Sequence, residues 1–120
     1  MIHHVILEVD DLERSAAFYD AMLGPLGWRR HYEKEQTVGW GIAKPVFFVS
    51  AGHGARAGFG LVSFTALGIA AVKAAHEAGV AAGGQSTHEP HGTNGRPSGS
   101  YSAFLRDPDG YDVEITVGAD

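Results

Sequence analysis

A histidine in the first strand-like segment and a glutamate in the last are the residues best suited to joint chemistry here. Ile2-His3-His4-Val5-Ile6-Leu7-Glu8-Val9 is rich in β-branched and apolar side chains, which predicts a strand over 2–9. His3, Val5, Leu7 and Val9 would share one face, and Ile2, His4, Ile6 and Glu8 the other. Near the other end Tyr111, Val113, Ile115 and Val117 alternate with Asp112, Glu114 and Thr116, so Glu114 stands opposite the core-forming side chains. Imidazole and carboxylate both bind divalent ions, and a positioned carboxylate can also move a proton. Two donors alone hold an ion weakly. Alternation by itself equally allows a hydrogen-bonded sheet carboxylate and a satisfied strand histidine.

Other chemistries are excluded by what the chain lacks. No cysteine occurs among its 120 residues, so disulfides, thiolate zinc sites and cysteine nucleophiles are out. The net charge is -5 and the nine basic residues are scattered, which is not the footprint of a nucleic-acid binder. No Gly-rich loop leads into Lys-Ser or Lys-Thr, so no nucleotide is expected. Asp107-Pro108-Asp109-Gly110 begins like a calcium loop but lacks the twelve-residue spacing, and it reads as a tight turn. With no long apolar run and no leader-like start, a cytoplasmic protein without a membrane partner is expected, and a small molecule is the natural ligand.

Positioning these side chains requires a strand-rich scaffold. Asp10 and Asp11 offer acceptors for a helix over 12–23, where Leu12, Ala16, Tyr19 and Leu23 recur at helical spacing. Strands are predicted over 28–33, 37–43 and 45–50, with Gly39 and Gly41 marking a bulge, a bend or a close approach. The pattern then repeats: a strand over 59–65, an Ala-rich helix over 66–78 closed by Gly79, and a final hairpin of 101–106 and 111–117. Between them, 85–99 has no periodicity and reads as a structureless lid containing His88, His91 and Arg96. The class is α+β: one domain over 1–120, built of two βαβββ modules at about 1–57 and 58–120.

The opening Ile2-His3-His4-Val5 with Asp10-Asp11-Leu12-Glu13-Arg14-Ser15, the helical Phe18-Tyr19 and Leu23-Gly24, and the ending Tyr101 to Gly110 followed by Glu114 together resemble the vicinal oxygen chelate superfamily. That superfamily includes glyoxalase I, bleomycin resistance proteins, extradiol dioxygenases, fosfomycin resistance enzymes and methylmalonyl-CoA epimerase. The resemblance covers essentially the whole chain and implies a curved mixed sheet around a cup-shaped cavity. It implies metal ligands at His4 and Glu114, with Glu114 also the catalytic carboxylate. The remaining two family ligand positions fall on Leu61 and near Phe47 or Phe48, which carry no donor. A divalent ion such as Zn, Ni, Mn or Fe is therefore an expectation weakened at Leu61, unless His53, His88 or His91 reaches inward.

On this reading Leu61, Ser63, Ile6 and Thr116 line the cup beside the two ligands, and Trp40, Phe47, Phe48 and Tyr101 add aromatic walls. Arg56 and Arg96 could meet a carboxylate or phosphate. The resemblance implies lyase, epimerase or dioxygenase chemistry on a small oxygen-bearing molecule. Metal-free sequestration of a drug or aromatic compound is the alternative, and a homodimer is implied in either case.

Overall fold

The structure is a computed structural model that describes residues 1–92 and 100–118. The chain runs β1 (Val5–Val9), α1 (Leu12–Leu23), β2 (Arg29–Lys34), β3 (Thr37–Gly41) and β4 (Phe47–Ala51). It then repeats this order with β5 (Val62–Thr65), α2 (Ile69–Ala81), β6 (Gln85–Gly92), β7 (Tyr101–Arg106) and β8 (Asp112–Val117). Two four-stranded sheets result, ordered β1-β4-β3-β2 and β5-β8-β7-β6, each with its first and last strands parallel. Two βαβββ-like modules are thus present, and the sheets do not close on one another.

Helix α1 starts where expected because the Asp11 side chain accepts the Arg14 backbone N–H at 3.1 Å, satisfying one donor of the first turn. Pro25 then enters a 3-10 turn over Gly24–Leu26, and Gly27 at φ 84 reverses the chain. The helix buries Phe18, Tyr19, Met22 and Leu23: the Tyr19 ring meets Phe47 at 4.8 Å and Trp40 at 5.7 Å on one face of the first sheet, while Phe18 lies beside Gly79 and Gly84 of the second half. Val9, Val38, Val49 and Phe47 complete that face, so the opposite face of the same strands carries what is left to function.

Three expectations give way. Residues 85–92 form β6, paired with β7 through Gln85 and Arg106 to Gly92 and Tyr101, where a structureless lid was expected. Its register slips between Ser86 and His88 and again between His88 and His91, and these bulges erased the alternation that sequence reading relies on. Helix α2 begins at Ile69 and runs through Gly79. A Cβ at Gly79 would lie 2.9 Å from Leu105 Cδ1, so this glycine admits a neighbour and ends nothing. Strand β5 starts only at Val62, which leaves Leu61 just ahead of it.

A polar clamp fastens α1 to the β7–β8 turn. Asp109 accepts from Arg14 at 2.8 Å, from Ser15 Oγ at 3.0 Å and from the Asp10 backbone at 3.3 Å. Asp107 accepts the Tyr19 hydroxyl at 2.6 Å and the backbone N–H groups of Asp109 and Tyr111 at 2.9 Å each. The two most recognisable stretches of the sequence are therefore each other's partners.

Candidate functional site

Register defines the face of each sheet turned away from the helices. In the first sheet Ile6, Phe48, Gly39 and Tyr32 form one cross-strand row, and Glu8, Ser50 and Thr37 the next. In the second, Ser63, Glu114, Phe104 and His88 form a row, followed by Thr65, Thr116, Ser102 and His91. Gly39 explains itself here: a Cβ would lie 2.5 Å from the Phe48 ring, which rests across β3. At Gly41 a Cβ would meet the Lys44 carbonyl oxygen, so both glycines serve close approach.

His4 lies immediately before β1 and is exposed. Its Nδ1 lies 2.8 Å from Nδ1 of His3, and its ring packs edge-on to Phe48 at 5.6 Å. One of the two imidazoles must donate in that bond; when His4 does, its Nε2 keeps a lone pair for a ligand. His4 shares a cavity of about 180 Å³ with Ile2, Trp28, Ser63 and Phe64. Ser63 in turn stands beside Glu114 across the parallel β5–β8 pairing. Glu114 is only 2% exposed, and its Oε2 has no hydrogen-bond partner among the described residues. A buried, unpartnered carboxylate oxygen is costly to keep, which singles this residue out.

The other expected residues separate into two groups. Ile6 and Leu61 are each 50% exposed on the open side, and Leu61 lines neighbouring cavities of about 350 and 280 Å³. Arg56 lines the larger of these with Phe59 and Tyr111, and Phe104 and His88 line the smaller. Thr116 Oγ1 is hydrogen-bonded to Ser102 Oγ at 2.7 Å. By register Trp40 and Tyr101 stand on the helix side of their sheets. Trp40 is 1% exposed, faces α1 and donates its indole N–H to Asp20 at 2.9 Å, while Tyr101 packs against the hydrophobic core. Strand parity puts them on the helix side, which the aromatic character of their rings had obscured. Phe47 is likewise core, and Phe48 is the open-face member of the pair.

His88 and His91 are exposed on β6 with ring centroids 6.1 Å apart, and His91 Nδ1 is engaged by the Glu89 carbonyl at 2.7 Å. Arg96 lies outside the described residues. Sequence reading passed over Glu8, whose Oε1 is the other enclosed side-chain atom without a partner among the described residues. Alternation had already set Glu8 on the face of His4, and that was the available signal.

The matching pairings of Ile6 with Phe48 and of Ser63 with Glu114 give Phe48 the place in the first half that Glu114 holds in the second. Residues 1–115 match the profile of the Glyoxalase/Bleomycin resistance protein/Dioxygenase superfamily. The chain belongs to this superfamily. It is similar to a lactoylglutathione lyase of Haemophilus influenzae, 31% identical over 95% of this chain and 90% of that one. A crystal structure of a glyoxalase/bleomycin resistance protein from Albidiferax ferrireducens T118 superposes with a TM-score of 0.85 at 32% identity, covering 97% of each chain. The fosfomycin resistance protein FosX from Listeria monocytogenes, complexed with Mn(II), shares the fold at a TM-score of 0.70 and 18% identity, over 99% of this chain and 90% of that one.

A divalent ion suits some members of the superfamily, but the donor set of this chain does not fit one. Of the four positions only His4 and Glu114 offer donors, Leu61 and Phe48 being hydrocarbon. Among the described residues no three His, Cys, Asp or Glu side chains gather where an ion could be held.

Proposed function

We propose that this superfamily member binds a small oxygen-bearing organic molecule against the open faces of its sheets without a resident divalent ion. The observation that carries this reading is the enclosed Glu114 Oε2, which lacks a donor and stands between Ser63 and Phe104. A ligand hydroxyl would satisfy it, while Ile6, Leu61, Phe48 and Phe104 supply apolar contact. Sequestration of an aromatic or drug-like compound is the role this reading supports.

The same carboxylate supports a second reading, in which Glu114 removes a proton next to a carbonyl, as lyase or epimerase chemistry needs. His4 would then orient the oxygen through Nε2. A homodimer suits either reading, and among the exposed apolar side chains Ile2, at 80% exposure, lies outside the proposed ligand contacts. We place the protein in the cytoplasm and take residues 1–57 and 58–120 as its two modules, about one βαβββ unit each.

The test is a thermal-shift screen of catechols, diketones and aromatic antibiotics, run in parallel on Glu114→Gln. Stabilisation of the parent that Glu114→Gln loses is the expected result. Silence from all three classes overturns the reading, and turnover of a diketone that Glu114→Gln abolishes establishes the enzymatic version.

A further inference from the structure

Neither His4 nor Glu114 lines the cavity of about 350 Å³, and its one arginine takes no part in the proposed function. The walls come from both halves of the chain: Leu7 of β1, Val62, Tyr111 and Asp112 of the second module, and the connector between β4 and β5, which contributes Arg56. We propose that this cavity is a binding site for a small organic carboxylate, with Arg56 as the residue that pairs with the acid group.

Other arginines of the chain are committed. Arg14 pairs with Asp109, Arg30 with Asp20 and Glu33, and Arg106 with Asp112. Arg56 forms no ion pair among the described residues. The acidic groups beside the connector are engaged elsewhere: Asp112, the acidic residue of the wall, accepts from Arg106 Nε at 3.2 Å, and Asp10 accepts the Ala55 backbone N–H at 2.7 Å. Arg56 is nonetheless anchored. Its backbone N–H donates to the Tyr111 hydroxyl at 3.0 Å, and that hydroxyl donates to the Glu8 carbonyl at 2.6 Å, so both modules hold the residue in the wall. The guanidinium keeps its planar fork of donors for a carboxylate, which it can meet through two parallel bonds.

The rest of the wall describes the rest of the ligand. Leu7, Phe59, Leu61 and Val62 set hydrocarbon around this charge. Phe59 is fully exposed between Gly58 and Gly60, which leaves an apolar ring in water for the body of a ligand to cover. The volume is at the small end of the range for ligand pockets, about 300 to 1,000 Å³, and so suits a single ring or a short chain. An acid is selected over an amine because the uncommitted charge of the wall is positive. The net charge of -5 repels anions at a distance, so pairing at contact holds the ligand and long-range steering does not.

Three compounds alike in ring and different in head group test the site: 3-phenylpropionate, 3-phenylpropionamide and 3-phenylpropylamine, titrated calorimetrically into the full chain, Arg56→Gln and Arg56→Lys. The acid is expected to bind the parent at least about tenfold more tightly than the amide, with the amine weakest. Arg56→Gln keeps the backbone N–H that Tyr111 accepts, so the wall persists, and it is expected to bring the acid down to the level of the amide. Arg56→Lys is expected to restore part of the preference, since it keeps the charge without the fork. Equal binding of acid and amide by the parent, or a preference for the acid that survives Arg56→Gln, overturns the site. So does an acid that fails to bind at about 10 mM. The proposed function is decided by its own screen with Glu114→Gln, and the two fail separately.

Discussion

The hydroxyl of Tyr19, fully buried on α1, donates at 2.6 Å to Asp107, which follows β7 and lies 88 residues further along the chain. Removing it leaves an anionic acceptor in the interior without its donor. Tyr19→Phe is expected to lower stability by about 2 kcal/mol, read as a shifted urea midpoint with an unchanged slope. A change below about 0.5 kcal/mol would mean that the bond contributes nothing net.

The same pair sets a pH dependence. Burial raises the Asp107 carboxyl above its ordinary 3.8, against the opposing hydrogen bonds from Tyr19 and the backbone. Because the folded state holds this proton more tightly than the unfolded one, the stability it contributes is full below 3.8 and is lost as pH climbs through the raised value. Tyr19 is raised well above 10.0, by burial first and by Asp107 second, so its contribution is full below 10.0 and is lost at higher pH. In Asp107→Asn the backbone bonds can persist through the amide oxygen. That variant is expected to lose the decline just above 3.8, as measured by urea midpoints across a pH series.

Gly39 and Phe48 form a second dependent pair. Gly39→Ala would drive a methyl into the Phe48 ring at 2.5 Å and is expected to cost about 1 to 3 kcal/mol. Phe48→Ala in the same chain should recover much of that loss. Strict additivity of the two changes in unfolding experiments would mean that the ring does not rest on β3.

Metal affinity offers a third comparison. The parent is expected to bind Mn, Ni or Zn no more tightly than His4→Ala does, as measured by titration calorimetry on untagged protein. Leu61→His with Phe48→Glu supplies the two missing donors and is expected to raise affinity at least about tenfold. Tight, stoichiometric binding by the parent would overturn the judgement that its donor set does not fit an ion.

Much of the scaffold was legible because its signals are local. The Asp11 cap, the helical spacing from Leu12 to Leu23, and the Asp107–Gly110 turn each depend on a few adjacent residues, and each is found where expected. Strand β6 was not legible, since two register slips break the alternation and its partners lie on β7. In the site, parity on regular strands set Glu114 and Ile6 on the open face. Aromatic character alone does not tell which face a ring takes, and register puts Trp40 and Tyr101 on the helix side.

The clamp between α1 and the β7–β8 turn has no equivalent from α2, whose side-chain hydrogen bonds among the described residues end at Ser86. On the ribosome, α1 therefore emerges 88 residues before the carboxylate that accepts from Tyr19 and 94 before the one that accepts from Ser15. Until then its polar groups are open to solvent and to chaperones, and completion of the fold waits on the final hairpin. Translation speed through β7 should thus influence yield more than speed through the first half.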